Sequence, residues 1–175
     1  LPVSSSGHLL LPAALFGWQD QGLTLDIAVH LGTLAAVILY LRRDLMGLVA
    51  GSYKWLLKRE ESYESRLALK LIVATLPAGL AGLALRAVIE ANARSLAIVA
   101  ATSIIFAVLL WLADRSGARR ANAVPFSELT VPGALFIGVA QAFALIPGTS
   151  RSGVTMTAAR FLGLTREDSA RFPFL

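Results

Sequence analysis

The segment IPGTSRSG, residues 146–153, contains residue types that together suit the binding of an anion. Its two glycines allow the backbone to turn closely, and its three hydroxyl side chains can donate hydrogen bonds. Its arginine has a planar guanidinium that can bind two phosphate oxygens at once. We call this stretch the anion segment and predict that its binding residues are Gly148, Thr149, Ser150, Arg151, Ser152 and Gly153.

The residues after the anion segment bear on what it binds. A helix that begins near Val154 would direct its free N–H groups at the same anion. Alternatively, Arg151 lies at a headgroup boundary and extends toward water, since an arginine at the bilayer centre costs about 2.5–3.5 kcal/mol on insertion scales. The spacing of Gly148 and Gly153 also resembles a nucleotide P-loop. Val154 stands where the lysine is needed, however, so the sequence does not favour ATP binding.

A second polar segment, near the start of the chain, reads SSSGH and supplies groups for nucleophilic or acid–base chemistry. Ser5 and His8 are three positions apart, and a turn at Gly7 would bring the imidazole to the hydroxyl. This spacing makes Ser5 and His8 candidate catalytic residues. The residues predicted to contact the substrate here are Ser4, Ser6 and Gly7. The alternative is that a serine-rich turn with one histidine only caps a helix.

Asp26 and His30 are four positions apart, so on a helix they share one face. The carboxylate of Asp26 closely follows Thr24 and suits the first turn of a helix, where the helix dipole favours negative charge. We predict a supporting, hydrogen-bonded pair rather than a catalytic one.

The composition of the 175-residue chain indicates a membrane protein, because 56% of its residues are hydrophobic. The absence of cysteine excludes disulfides and thiolate metal sites, and the two histidines fit no zinc-binding spacing. The sixteen Lys and Arg residues give a net charge of +5, but they flank apolar segments and do not alternate with aromatic residues. The sequence therefore predicts membrane lipids, and not nucleic acid, as partners and leaves the oligomeric state open.

Three apolar stretches, at 24–41, 67–85 and 95–113, are long enough to cross a bilayer as helices. The first would extend about 27 Å at about 1.5 Å per residue. We predict that all three are transmembrane helices.

Lysine and arginine are concentrated in the connections 42–66 and 114–130. The positive-inside rule places both connections in the cytoplasm. The connection 86–94, and the stretch before residue 24 that contains SSSGH, would then face outward.

Two further apolar stretches, at 9–18 and 154–164, are too short to cross a core of about 30 Å as helices. Short apolar pieces interrupted by Gly and Pro are typical of re-entrant or broken helices, which occur where protein or a wet cavity satisfies the backbone. The stretches PVSSSGHLLL and PGTSRSGVTM share an order of proline, small residues, glycine and apolar residues. This order fits an inverted repeat with a site at its interface, and chance similarity is the alternative.

These patterns predict an all-α, polytopic integral membrane protein with transmembrane helices and re-entrant or broken helices. We expect residues 1–175 to form a single membrane domain and to be a fragment of a longer chain, since both ends lie within apolar runs. Near the end, Thr165 and Asp168 are spaced like a capping box, and Pro173 would end the helix that they begin.

The chain resembles the bacterial undecaprenyl-diphosphate phosphatases, the bacitracin-resistance family of integral membrane enzymes. The resemblance rests on four stretches in order along the chain: LPVSSSGHLLL, LDIAVHLGTLAAVILYLRRDL, LPAGLAGL and QAFALIPGTSRSGVTMTAARFLGLTREDSARF. It implies hydrolysis of the terminal phosphate of a C55 isoprenyl diphosphate at a bacterial plasma membrane, which regenerates the lipid carrier of cell-wall synthesis. It assigns the family's diphosphate-binding arginine to Arg151 and its active-site serine and histidine to Ser5 and His8.

The resemblance also implies a divalent cation, Mg²⁺ or Ca²⁺, held by glutamates of an E-G-x-T-E-F segment that precedes LPVSS in the family. Those glutamates would lie upstream of Leu1, so no metal ligand is assigned within residues 1–175 and we expect this chain alone to be inactive. Pro173 stands where the family usually has serine. A transporter of a polyprenyl phosphate lipid is the alternative function, because carriers are also built from broken helices around an ion site.

Overall fold

A computed structural model describes residues 15–17, 22–85, 96–118 and 124–175 of the chain. The described residues are mainly helical and contain no strand; a parallel bridge pairs Val124 with Leu164. The all-α prediction is thus confirmed. The helices are α1 (Gly22–Tyr40), α2 (Arg42–Lys58), α3 (Tyr63–Ala84), α4 (Leu96–Ala118), α5 (Val131–Ala142), α6 (Arg151–Phe161) and α7 (Arg166–Arg171). Three short 3-10 turns lie at Phe126–Glu128, Phe143–Leu145 and Phe172–Phe174.

All three stretches predicted to cross the membrane are helical, as α1, α3 and α4. By length and apolar composition, Tyr63–Ala84 and Ala97–Gly117 can each cross a bilayer. The helix α1 has 19 residues and contains the apolar stretch Ile27–Tyr40. The end of α4 lies at Ala118, beyond the predicted end at 113.

Most of the polar connection 42–66 forms the 17-residue helix α2, which the sequence analysis did not predict. Gly51 lies at the contact with the next helix, since a Cβ there would lie 2.7 Å from Cβ of Glu64. The helix ends at Arg59, which adopts a left-handed conformation with φ of 56°. A polar composition therefore did not exclude a helix, because one face of α2 packs against α3.

The start of α3 is fixed by a capping box at the end of this connection. The hydroxyl of Ser62 accepts a hydrogen bond from the N–H of Ser65 at 3.2 Å. The hydroxyl of Ser65 accepts one in return from the N–H of Ser62 at 3.0 Å. Two N–H groups of the first turn are therefore satisfied before the apolar part of the helix begins.

The core forms where α3, α5 and α6 pack together. The approach of α5 to α3 is closest at Gly138, where a Cβ would lie 2.5 Å from the carbonyl oxygen of Ala74. Small residues at such crossings are typical of helices that associate within lipid, where close backbone approach supplies much of the attraction. The buried apolar residues of the core are Leu67, Ala74, Phe126, Leu129, Ala134, Ile137, Ala158, Ala159, Leu164 and Phe172.

The outer surfaces of the long helices are strongly apolar. Leu80 and Leu83 of α3 are 66% and 80% exposed, and Ile104 of α4 is 65% exposed. A soluble protein rarely leaves so much contiguous apolar surface in contact with water. These faces are suited to lipid, in agreement with the predicted membrane protein.

Asp114, near the end of α4, binds two arginines from the following helices. Arg160, in the last turn of α6, is 6% exposed and donates to the carbonyl oxygens of Leu164 and Asp114. Its Nε lies 3.2 Å from Oδ1 of Asp114, an ion pair without the alignment of a hydrogen bond. Arg166 donates to the two carboxylate oxygens at 2.9 and 2.7 Å. We call these three residues the Asp114 cluster, and it ties α6 and α7 to α4.

The predicted helix start at Thr165 is confirmed, because its hydroxyl accepts a hydrogen bond from the N–H of Asp168 at 3.0 Å. The carboxylate of Asp168 instead accepts a hydrogen bond from the N–H of Phe126 at 3.1 Å. This carboxylate thereby joins α7 to the 3-10 turn before α5. The helix ends at Arg171, shortly before Pro173, as predicted.

A second ion pair joins distant parts of the sequence. Arg171 of α7 donates to the carboxylate of Asp44 in the first turn of α2. This hydrogen bond raises the pKa of the Arg171 guanidinium. The pair therefore fixes α2 against the end of the described chain.

Candidate functional site

The backbone of the anion segment turns sharply between α5 and α6. The helical path is interrupted at residues 146–150, and the N–H of Thr149 donates to the carbonyl oxygen of Ile146 at 3.1 Å. Gly148 has a φ of +87°, which residues other than glycine rarely adopt. A Cβ at Gly148 would also lie 2.5 Å from the Cα of Val99. Both the conformation and the proximity of α4 thus require glycine here, and the predicted break within 143–164 is confirmed.

Two hydroxyl groups of α4 hold this turn. Oγ1 of Thr102 donates to the carbonyl oxygen of Pro147 at 2.7 Å. The neighbouring hydroxyl, Oγ of Ser103, donates to the carbonyl oxygen of Gly148 at 3.1 Å. The sequence analysis did not identify this pair. The available indication was the presence of two adjacent hydroxyl residues inside an apolar stretch of spanning length, where polar side chains are expensive unless they find partners.

Ser150 caps the start of α6. Its hydroxyl accepts a hydrogen bond from the N–H of Gly153 at 3.2 Å and lies 3.2 Å from the hydroxyl of Ser152. The helix therefore begins at Arg151, earlier than the predicted start near Val154. The N–H groups of its first turn, with the associated positive end of the helix dipole, lie at the anion segment.

Arg151 and Arg160 lie at opposite ends of α6 and differ in their surroundings. Arg151 is exposed, and among the described residues its guanidinium has no hydrogen bond or ion pair. Arg160 is buried and bound within the Asp114 cluster. Arg151 is therefore the arginine of this helix whose five N–H donors are available to a ligand.

Thr149 has an unsatisfied hydroxyl. The residue is 6% exposed, and its Oγ1 has no hydrogen-bond partner among the described residues. A buried hydroxyl without a partner costs about 1–3 kcal/mol, so such groups are uncommon and often mark a place where a ligand or a water binds. Thr149 lies in the chain between Gly148, where the backbone turns, and Ser150, which caps α6.

A cavity of about 710 Å³ extends from the anion segment along the groove between α4 and α6. Gly148 and Ser150 line one end, and the Asp114 cluster lines the other. The wall between them is apolar and includes Phe106, Trp111 and Met156. The cavity thus joins a polar end at the anion segment to a mostly apolar channel.

The residues predicted near the start of the chain are not part of this description. The segment from Ser4 to His8 lies outside the described residues, so neither the approach of Ser5 and His8 to Arg151 nor the inverted repeat is tested. The predicted pairing of His30 with Asp26 is also untested, because the side chain of Asp26 is not described. His30 itself lies on α1 and is exposed.

The described residues do not form a site for a divalent cation. They contain no group of three or more His, Cys, Asp or Glu side chains that could hold a metal ion. The anion segment itself supplies only hydroxyls and one arginine, and Mg²⁺ and Ca²⁺ prefer carboxylate ligands. The cation that the resemblance implies was assigned no ligand within residues 1–175, so the described residues do not test it.

Comparison with known proteins gives one family and close relatives. The family model described as bacitracin resistance protein BacA matches residues 1–175. Three curated relatives, each named undecaprenyl-diphosphatase, are 52% identical in Saccharophagus degradans, 53% in Hahella chejuensis and 48% in Aliivibrio salmonicida over 175 residues. Each match covers 100% of this chain and 64% of the relative, so the chain spans less than two thirds of the length of these proteins.

Proposed function

We propose that the full-length protein hydrolyses undecaprenyl diphosphate, because this chain belongs to the BacA family of bacitracin resistance proteins. The products are undecaprenyl phosphate and inorganic phosphate. This reaction returns the lipid carrier to cell-wall synthesis and confers resistance to bacitracin. The name of the three relatives supports this substrate and this reaction.

The observation that carries the proposal is the exposed guanidinium of Arg151 at the capped start of α6, which has no partner among the residues that the structure describes. A diphosphate is polyanionic, and charge moves onto the bridging oxygen as the bond to the terminal phosphorus breaks. Arg151 binds two oxygens of the diphosphate, and the N–H groups of the first turn of α6 stabilise the same charge. The buried hydroxyl of Thr149 gains an acceptor when phosphate binds.

The chemical step is assigned to the segment near the start of the chain, as an inference from the family. His8 removes a proton from Ser5 or from a water molecule, and the resulting oxygen attacks the terminal phosphorus. The bond between this phosphorus and the bridging oxygen breaks, and the bridging oxygen stays on the lipid monophosphate. When Ser5 is the attacking group, water then hydrolyses the phosphoserine and releases inorganic phosphate. Ser4, Ser6 and Gly7 contact the phosphate groups in this scheme.

The cavity between α4 and α6 supports a lipid substrate. An isoprenyl diphosphate has a charged head and a long apolar chain, and the cavity has an anion-binding end and an apolar wall at Phe106, Trp111 and Met156. The exposed apolar faces of α3 and α4 place the same groove within reach of lipid.

The apolar helices and the family identify a membrane protein. We further propose that it lies in the bacterial plasma membrane with the anion segment toward the outer side. Thr102 and Ser103 lie in the first part of α4, about 17–18 Å along the helix from Asp114 at about 1.5 Å per residue. The arginine-rich end at the Asp114 cluster is the end that the positive-inside rule assigns to the cytoplasm.

A transporter is the second candidate, because the break between α5 and α6 is the feature from which carriers build ion sites. The test is the release of inorganic phosphate from a prenyl diphosphate by purified full-length protein in detergent. Stoichiometric appearance of phosphate and lipid monophosphate is the expected result. Movement of labelled lipid between leaflets of a vesicle without phosphate release would instead establish the carrier and overturn the phosphatase.

A further inference from the structure

The carbonyl groups of Pro147 and Gly148 both face α4 and accept hydrogen bonds from hydroxyl groups of that helix. The distances are 2.7 Å from Oγ1 of Thr102 and 3.1 Å from Oγ of Ser103. Among the described residues, no backbone N–H donates to either carbonyl oxygen. The two hydroxyls are therefore the donors that hold this part of the anion segment.

Thr102 has a choice of acceptors, since one hydroxyl carries a single hydrogen. Its Oγ1 also lies 2.8 Å from the carbonyl oxygen of Ile98 and 3.2 Å from that of Val99. Both of those oxygens belong to α4 and accept hydrogen bonds from N–H groups of the same helix. The carbonyl oxygen of Pro147 is the nearest of the three and lacks such a donor, so the hydrogen is best placed on it.

The direction of these carbonyls decides what the anion segment presents on its other side. A trans peptide is planar, so its C=O and N–H point in opposite directions, and no described peptide bond is cis. With the carbonyl of Pro147 turned toward α4, the N–H of Gly148 points away from α4. If the carbonyl turned the other way, its partial negative charge would face the bound anion and repel it.

Glycine cannot fix this direction by itself. Gly148 has no side chain to restrict its dihedral angles, and its φ of +87° is one of several conformations open to glycine. The restraint must come from contacts. Among the described residues these include the hydrogen bond from the N–H of Thr149 to the carbonyl oxygen of Ile146, the hydroxyls of Thr102 and Ser103, and the nearby backbone of Val99.

We propose that Thr102 and Ser103 are positioning residues, which hold the carbonyl oxygens of Pro147 and Gly148 against α4 so that the anion segment presents the N–H of Gly148, and not these oxygens, to the diphosphate. This inference rests on the function proposed above. Both residues act through the backbone of the anion segment, and Ser103 also lines the cavity.

The experiment compares variants of the full-length protein. Thr102→Val keeps the shape and removes the donor, Thr102→Ser keeps the donor, and Ser103→Ala removes the second donor. Thr75→Val is the matched control, because Oγ1 of Thr75 bonds at 2.8 Å to the carbonyl oxygen of Leu71 in its own helix α3. Phosphate release is measured as kcat and KM per folded enzyme, with the unfolding midpoint recorded for each variant.

We expect Thr102→Val and Ser103→Ala each to lower kcat/KM by about 3- to 10-fold, mainly through a higher KM, while their unfolding midpoints match that of Thr75→Val. Thr102→Ser should stay within about twofold of the wild type, because the hydroxyl is what matters. Loss of stability without a change in kcat/KM per folded enzyme would overturn the inference. So would a Thr102→Ser variant as impaired as Thr102→Val.

A second measurement separates this inference from the proposed function. Binding of inorganic pyrophosphate to the purified protein is followed by isothermal titration calorimetry, which needs no turnover. If the wild type releases no phosphate but binds pyrophosphate about 3- to 10-fold more tightly than Thr102→Val, the phosphatase is wrong and the positioning role stands. Turnover by the wild type with equal pyrophosphate affinities in both proteins would leave the phosphatase and overturn the positioning role. Absence of both turnover and binding would overturn both.

Discussion

Gly138 of α5 lies directly against the backbone of Ala74 in α3, so that a Cβ at position 138 would come within 2.5 Å of the Ala74 carbonyl oxygen. The obstacle is backbone and not the end of a flexible side chain. It cannot move aside without separating the two helices.

Gly138→Ala should therefore destabilise the protein by about 1–3 kcal/mol, as overpacking of a tight core does. Gly79→Ala is the control in α3, because a Cβ at Gly79 would meet nothing within 4 Å. This control should be neutral or up to about 1 kcal/mol more stable, since alanine favours helix over glycine. The free energy of unfolding is measured by titrating a denaturing detergent into the protein solubilised in a mild detergent. Equal stability of the two variants would show that α3 and α5 do not meet at Gly138.

Arg151→Lys tests whether the guanidinium fork, and not charge alone, binds the diphosphate. Lysine keeps the charge but loses the bidentate geometry, and a hydrogen bond to a charged group is worth about 1.5–3 kcal/mol. We expect kcat/KM for phosphate release to fall by about 10- to 100-fold. Ser152→Ala, which removes one neutral hydroxyl, should cost about 0.5–1.5 kcal/mol of transition-state stabilisation, as measured by kcat/KM. Near-wild-type turnover of folded Arg151→Lys would make Arg151 a headgroup anchor.

Asp114→Asn removes the negative charge from the Asp114 cluster and leaves the buried guanidinium of Arg160 without its counter-ion. The expected loss is about 1–3 kcal/mol of unfolding free energy, limited because the carboxylate side chain is 37% exposed. Arg166→Gln should cost much less, because Arg166 is 72% exposed and its ion pair is screened by water. The same unfolding assay measures both variants. If Arg166→Gln proved the more damaging, the exposed arginine and not the buried one would hold the cluster.

Cysteine labelling tests the orientation in the membrane. In a cysteine-free version of the full-length protein, a cysteine in place of Gly22 should react in intact cells with an impermeant thiol reagent. A cysteine in place of Glu60, in the exposed connection between α2 and α3, should react after the cells are opened. Glu60 is preferred to Ser62, since the hydroxyl of Ser62 caps α3. The opposite labelling pattern would place the anion segment on the cytoplasmic side.

Removal of divalent cations tests the cofactor proposed from the family. Exhaustive chelation of the full-length enzyme should abolish phosphate release, and Mg²⁺ or Ca²⁺ should restore it. Pyrophosphate binding, measured alongside, shows whether the chelated protein is still folded around its anion site. Full turnover after chelation would exclude an essential cation.

The sequence predicted those parts of the fold that depend on local chemistry. Thr165 begins a helix because its hydroxyl can reach the N–H of Asp168, and Gly148 interrupts one because only glycine readily adopts its φ. Both effects are confined to a few neighbouring residues. The apolar stretches that became α3 and α4 were found for a similar reason, since hydropathy over a spanning length is a property of one segment.

What the sequence did not predict depends on contacts between segments. The helix α2 was not predicted, because its polar residues mask the face that packs against α3. Thr102 and Ser103 gave no indication of their partners, which lie more than forty residues away at Pro147 and Gly148. The burial of Thr149 likewise arises from the packing of other segments around the turn.

The contacts of α6 also determine how the anion segment can move. The hydroxyls of Thr102 and Ser103 bind the chain just before α6, and the Asp114 cluster binds the last turn of α6. The helix α4 therefore contacts α6 through polar groups at both ends. A helix fixed at two points cannot tilt or slide independently of its neighbour, and α4 and α6 are therefore expected to behave as one rigid body. Any hinge that admits a long isoprenoid chain to the groove must then lie elsewhere, and the 3-10 turn Phe143–Leu145 is where α5 could swing away while Arg151 keeps its place.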